Sequence, residues 1–305
     1  MKPDKLLVIG GSGFIGQHVI KKSLEEGFDT TVLSKTNSKS IDKLNGVNYL
    51  YADISHQDSV LNLLGNKAFD YIINVGGYVN HSNYSNGGDK VYDVHFNGVR
   101  NLVDCIDRSK LKGFVQVGSS DEYGNNSAPQ METQREAPIS PYSCAKVAST
   151  FFLQTLYKTE GFPAVILRPF LVYGPGQGME RFIPQVIKGC INNDKFPASK
   201  GEQLRDFCFI SDIVQAIFFA LGNEKAYGEV INIASNKPIS IKNMIDSIRG
   251  LIGSGEPQFG KISYRSGENM ALYGDISKAK VLLNWEPNVS LEQGLKETIK
   301  WIRKN

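Results

Sequence analysis

Cysteine is scarce in this chain. The four thiols, Cys105, Cys144, Cys190 and Cys208, are scattered. They form no C-x-x-C pair and show no metal-ligand spacing, so neither a disulfide framework nor a metal centre is expected. Reduced, mostly buried thiols fit better. Long apolar runs are also missing, and nothing here is built to span a bilayer. No signal-peptide core stands ahead of a small-residue cleavage site near Met1. A cytoplasmic location is the expectation. An excess of one charge is lacking too, since 34 Lys and Arg face 31 Asp and Glu. So small a surplus suits neither a nucleic-acid binder nor a membrane-surface protein. It does suit a few arginines aimed at a small anion. Internal repeats, low-complexity tracts and long charge runs are absent.

What is present is alternation. Lys5 to Ile9, Thr30 to Leu33, Val47 to Tyr51, Tyr71 to Val75, Phe114 to Val117 and Val165 to Leu167 read as short strands. Helical stretches separate them, from about Phe14 to Glu26, Val91 to Arg108 and Pro141 to Thr159. Strands divided by helices pair in parallel through right-handed crossovers. An α/β fold with a Rossmann-type doubly wound parallel sheet is predicted. After Tyr173 the segments become shorter and more polar. Ser211 to Leu221 and Leu291 to Ile302 read as helices, and Glu229 to Ile233 as a strand. The expected organisation is a dinucleotide-binding domain over 1–168, with returning segments near 208–235. A smaller C-terminal α/β substrate lobe follows over 169–305.

The first loop, Gly10-Gly11-Ser12-Gly13-Phe14-Ile15-Gly16, lies between the first strand and the first helix. Glycines let the backbone turn tightly and approach a pyrophosphate. The helix N-terminus adds unpaired N–H groups and a positive dipole end. A bare glycine pattern is weak, but one after the first strand of an alternating chain points to a dinucleotide.

Tyr142 and Lys146 are four residues apart, behind a good cap at Ser140 and a proline at the first helical position. On a helix they share one face. A free phenol titrates near ~10 and is a poor acid–base group at neutral pH. A neighbouring ammonium and a helix N-terminus are expected to lower that value. Ser119 and Ser120 follow the fifth strand, at the fold's active edge.

These motifs together resemble the extended branch of the short-chain dehydrogenase/reductase superfamily, the epimerases, dehydratases and reductases of nucleotide sugars. The resemblance covers nearly the whole chain. It implies Tyr142, Lys146 and a hydroxyl as the catalytic triad, with Tyr142 and Lys146 also against the cofactor. Counting four back from Tyr123-Gly124 gives Ser119 as that hydroxyl, and a one-residue gap would give Ser120. Ser120 is otherwise a substrate contact. Asp53, followed by Ile54, matches the position that contacts adenine. The acidic position ending the second strand of NAD enzymes is Ser34 here, followed by Lys35. That favours NADP(H), with NAD(H) still possible.

The nucleotide-sugar 4,6-dehydratases carry Thr-Asp-Glu, whereas Asp121 and Glu122 are displaced by one. Gly-Ser-Ser-Asp-Glu-Tyr-Gly looks more like GDP-4-keto-6-deoxymannose reductases, and the distal half resembles CDP-abequose synthases. Reduction of a 4-keto sugar nucleotide is expected. A 4-epimerase with tightly held NAD is the first rival, ahead of a dehydratase or an inactive dinucleotide sensor. Arg205 and Arg265 match positions that grip the substrate diphosphate, and Phe182 would wall its nucleotide pocket. A homodimer through the helices near Val91 to Arg108 and Tyr142 to Thr159 is implied. Departures include Leu171 and His95, each standing where an asparagine is usual. Tyr78 and His81 could face the sugar.

Overall fold

The computed structural model describes residues 2–36, 43–264 and 267–305. Its first half gives β1 (Lys5–Ile9), α1 (Phe14–Glu25), β2 (Asp29–Ser34), β3 (Asn48–Tyr51), α2 (Gln57–Leu64) and β4 (Tyr71–Asn74). Then come α3 (Lys90–Tyr92), α4 (Gly98–Cys105), β5 (Gly113–Val117), α5 (Pro141–Glu160) and β6 (Ala164–Pro169). The second half holds β7 (Leu171–Tyr173), α6 (Phe182–Ile191), β8 (Lys195–Pro197), β9 (Leu204–Arg205), β10 (Phe207–Phe209), α7 (Ile210–Ala220) and β11 (Val230–Ile233). It ends with β12 (Ile239–Ser240), α8 (Ile241–Ile252), β13 (Glu256–Gln258), β14 (Ala271–Leu272), α9 (Ser277–Leu283) and α10 (Leu291–Ile302).

Seven strands form one sheet in the order β11-β6-β5-β4-β1-β2-β3, every pair parallel. This is the Rossmann-type α/β fold. Alternation along the strands decides which layer each side chain joins. Leu6 and Val8 of β1 pack with Val19 and Ile20 of α1 and Ile213 and Ile217 of α7. Leu7 and Ile9 face the other way, toward Leu64 of α2, Leu102 of α4 and Leu153 of α5. The chain order reverses between β1 and β4, and a crevice opens beyond the carboxyl ends of strands at such a point. Smaller pairings fill the C-terminal half: β9 lies between β12 and β14, β8 pairs with β13, and β7 with β10. Among the described residues no helix is long and apolar enough to cross a membrane.

The helix expected from Val91 to Arg108 is present from Lys90 to Cys105, but it is not α-helical throughout. Asp93–Asn97 is a π-helical turn between α3 and α4, and the segment leaves the helix at Ile106. Periodicity alone does not reveal such an inserted residue, and π turns often occur at functional sites. Here the turn carries His95.

Candidate functional site

The glycine loop closes against the end of β4. Gly10 has a φ of +78°, and a Cβ there would sit 2.4 Å from Gly76 Cα. A Cβ on Gly16 would lie 2.3 Å from the Gly10 carbonyl oxygen, so the helix can sit on the loop only without a side chain. No side chain caps α1 at Gly13, and its first turn holds no acidic residue. Ser12 and Gly13 are exposed. Uncapped amides at an exposed helix N-terminus suit a diphosphate. The loop therefore fits the dinucleotide that the sequence suggested.

Across the crevice, Ser140 caps α5 by accepting from Ser143 N, and Pro141 occupies the first turn. Tyr142 and Lys146 project from this helix and are both buried. Lys146 Nζ donates to the Val117 carbonyl at 2.8 Å and lies 6.0 Å from the centre of the Tyr142 ring. Ser119, just past β5, faces the phenol, and its hydroxyl also caps the next turn through Asp121 N at 3.1 Å. Ser119 is half-buried and Ser120 is buried. Two histidines edge onto Tyr142. His95 has its ring centre 5.0 Å away, and His81 5.5 Å away. His81 Nε2 is 3.7 Å from Asp121 Oδ2. His95 Nε2 donates to the Tyr78 carbonyl at 2.8 Å, because a carbonyl can only accept. Burial and the nearby Lys146 charge push the His95 ring down to about 3, so it is neutral.

The expected direction of the Tyr142 shift is reversed. Burial is the largest influence and raises the phenol, and the Asp121 carboxylate facing it adds to that. The Ser119 hydroxyl and Arg181 pull the other way and lose. The Lys146 ammonium is directed at a backbone carbonyl. Burial also pushes Lys146 down to about 8. The ammonium persists below that pH and is lost above it. If the charge matters to the chemistry, turnover at saturation should fall as pH rises through about 8. Tyr142 stays protonated there, so it cannot account for the loss. A pH–rate profile flat to pH 9 would count against a role for the Lys146 charge.

At the end of β2, Ser34 is buried and Lys35 is at the surface. Lys35 Nζ pairs with Asp53 Oδ2 at 2.8 Å. Partial burial works to raise Asp53, but Lys35 and Ser55 hold it down to about 2. The cation proposed for a 2′-phosphate and the carboxylate proposed for adenine are thus in direct contact. Ile54 is buried, with its side chain against Gly98.

On the distal side, Arg205 is mostly buried on β9 and pairs with Glu268 rather than with its neighbour Asp206. Asp206 is occupied by the amides of Ser235 and Asn236, at 2.6 and 3.0 Å. Phe182, at the start of α6, stacks on Phe207 with ring centres 6.1 Å apart. Arg265 lies outside the described residues. Sequence reasoning missed Arg181, whose charge reaches Tyr142, because nothing in its local pattern marks it. It noted Glu122 only as a displaced dehydratase residue. Glu122 is fully buried and bonded to Arg168 Nε and Nη2, Thr150 and the Ser119 amide. It is not available to move a substrate proton.

Residues 6–234 match the profile of the NAD-dependent epimerase/dehydratase family. The chain belongs to that family. A putative UDP-glucose 4-epimerase of Methanocaldococcus jannaschii is 28% identical over 98% of this chain and 99% of its own. A UDP-glucuronate 4-epimerase of Thermodesulfobacterium geofontis is 28% identical over 98% of this chain and 96% of its own. Among solved structures, the UDP-glucose 4-epimerase of Thermotoga maritima, determined with UDP-glucose, has a TM-score of 0.89 at 26% identity. The match covers 98% of this chain and 99% of that one.

Proposed function

We propose that this chain is a nucleotide-sugar oxidoreductase, and that its net reaction is reduction of a 4-keto or 4-keto-6-deoxy sugar nucleotide. The observation that carries the reading is the meeting of Tyr142, Ser119 and Lys146 at the same carboxyl edge of the sheet as the uncapped glycine loop. Tyr142 gives its proton to the carbonyl oxygen, Ser119 hydrogen-bonds that oxygen, and Lys146 keeps positive charge behind the phenol. A phenol held in its acid form is the form reduction needs. When bound, the nicotinamide supplies the hydride. The loop Gly10–Gly16 would hold its diphosphate, Asp53 and Ile54 the adenine end. Residues 1–168 and the returning 208–235 would form the cofactor unit, and 169–305 the substrate lobe. Arg205 and Arg265 would grip the sugar nucleotide, and Phe182 would wall its base.

The relatives named as 4-epimerases favour a second reading, in which the same triad oxidises and re-reduces one carbon on tightly held NAD. A 4,6-dehydratase is disfavoured, because Ser120 stands where those enzymes carry their aspartate, and the displaced Glu122 is locked to Arg168. Oxidation of NADPH with a panel of 4-keto-6-deoxyhexoses linked to GDP, CDP, dTDP and UDP tests the first reading. Release of stoichiometric oxidised NAD on denaturation, with no NADPH consumption, would replace it with the second.

The cofactor assignment rests on Ser34 and Lys35. Lys35→Ala should weaken NADPH more than NADH, because only NADPH carries the 2′-phosphate. It also frees Asp53, whose charge would then repel that phosphate. Titration of both cofactors decides this, and tighter NADH binding by the unmodified protein would overturn the NADP(H) preference. We also propose a homodimer through the outer faces of α4 and α5. Phe96, in the π-helical turn just before α4, meets Phe152 of α5 edge-on at 6.2 Å, and Phe151 is exposed. A monomer by light scattering at micromolar concentration would contradict it.

A further inference from the structure

Behind the Ser119–Tyr142 pair lies a buried charge cluster that hydride transfer itself does not use. The side chains of Glu122 and Arg168 are both 0% exposed. Glu122 Oε1 accepts from the Ser119 amide at 2.9 Å. Glu122 Oε2 accepts from Arg168 Nε at 3.0 Å, from Arg168 Nη2 at 2.8 Å and from the Thr150 hydroxyl at 2.8 Å. Arg168 Nη2 donates again to Glu136 Oε1 at 2.7 Å. The guanidinium lies 4.8 Å above the Tyr123 ring. Four segments meet here: the turn after β5, the middle of α5, the strand β6 and the loop leading to Ser140.

Such a cluster is a poor device for stability alone. Desolvating the charges costs about as much as their attraction returns, and apolar residues of similar volume often do as well. What the planar guanidinium does supply is direction, since Nε and Nη2 converge on Glu122 Oε2 and Nη2 also reaches Glu136, all from one rigid plane. We propose that Arg168, acting through Glu122, is a positioning residue that sets Ser119 against Tyr142. At one end Glu122 holds the Ser119 backbone. At the other it holds Thr150, about two turns along the helix that carries Tyr142. Glu136 ties the approach to that helix to the same guanidinium. Both reacting segments thus refer to one carboxylate. The inference rests on the proposed roles of Ser119 and Tyr142.

Thr150→Val is nearly isosteric and removes one donor while the ion pair stays. Arg168→Lys keeps the charge and loses the rigid plane. With NADPH and the nucleotide-linked 4-keto-6-deoxyhexose turned over fastest, each should lower kcat by about fivefold or more while KM moves less than about twofold. The decisive measurement is a cycle with Ser119→Ala. In that background Thr150→Val should change kcat by less than about twofold, because its effect passes through Ser119. A full, multiplicative loss there would mean general structural damage and overturn the proposal, as would an unchanged kcat in the single Thr150→Val variant. If Ser119→Ala is fully active, or no panel sugar is reduced, the functional reading has failed, and crystal structures judge the positioning role instead. Glu122→Gln and Thr150→Val should then draw Ser119 away from Tyr142. A Ser119 side chain unmoved in both would overturn the proposal.

Discussion

Tyr142→Phe is expected to lower turnover by about a hundredfold or more, the usual scale for a lost acid–base group. The substitution removes one oxygen from a buried ring and leaves its packing against His95 and His81. The glycine loop proposed to hold the cofactor diphosphate lies on another element, so loss of one hydroxyl beside the cofactor should change its affinity little. Burial and Asp121 hold the phenol protonated, so the variant loses a proton donor rather than a standing negative charge. Steady-state kinetics with a 4-keto sugar nucleotide, together with direct cofactor titration, separates the two effects. Near-normal kcat would sink the assignment of Tyr142 as the acid. A parallel loss of cofactor affinity would assign it to binding instead.

Arg205→Ala should raise the dissociation constant of the sugar nucleotide by about ten- to a hundredfold. A charge-assisted hydrogen bond is worth roughly 1.5 to 3 kcal/mol, and each 1.4 kcal/mol is tenfold. The Glu268 pairing strengthens the expectation. Removing the guanidinium leaves that carboxylate without this partner beside the proposed anion site, and its repulsion acts in the same direction. Arg265→Ala should behave similarly. The double variant need not be additive, since both would share one anion. The rate at saturation should change less, because the diphosphate does not react. NADPH affinity should hold, because its proposed site at the glycine loop lies elsewhere. Titration with a nucleoside diphosphate lacking its sugar isolates the contact. Unchanged affinity in both single variants would remove the clamp and with it the best support for a nucleotide-sugar substrate outside the cofactor domain.

Much of the scaffold was legible because its signals are local. Lys5–Ile9 and Leu291–Ile302 have the bounds that apolar runs and turn residues suggested. The helix that carries Tyr142 and Lys146 starts where Ser140 and Pro141 announce it. Other elements escaped. The helices Gln57–Leu64 and Ile241–Ile252 were not read, although Ile241, Met244, Ile245, Ile248 and Ile252 recur at helical spacing on one face. The π-helical turn at Asp93–Asn97 depends on a single inserted residue.

The site divides along the same line. Sequence alone determined the glycine loop, the four-residue spacing of Tyr142 and Lys146, and the hydroxyls after β5. Each follows from backbone freedom or helical geometry within one segment. Only the tertiary structure decided that Tyr142 is raised, that Lys35 meets Asp53, that Arg205 answers to Glu268 and that Glu122 is bound to Arg168. Those outcomes depend on burial and on charges carried by segments remote in the chain. A phenol beside a lysine in sequence is one turn from it in space. Whether the ammonium or the surrounding apolar atoms govern the phenol depends on where the lysine points, and here it points at the Val117 carbonyl.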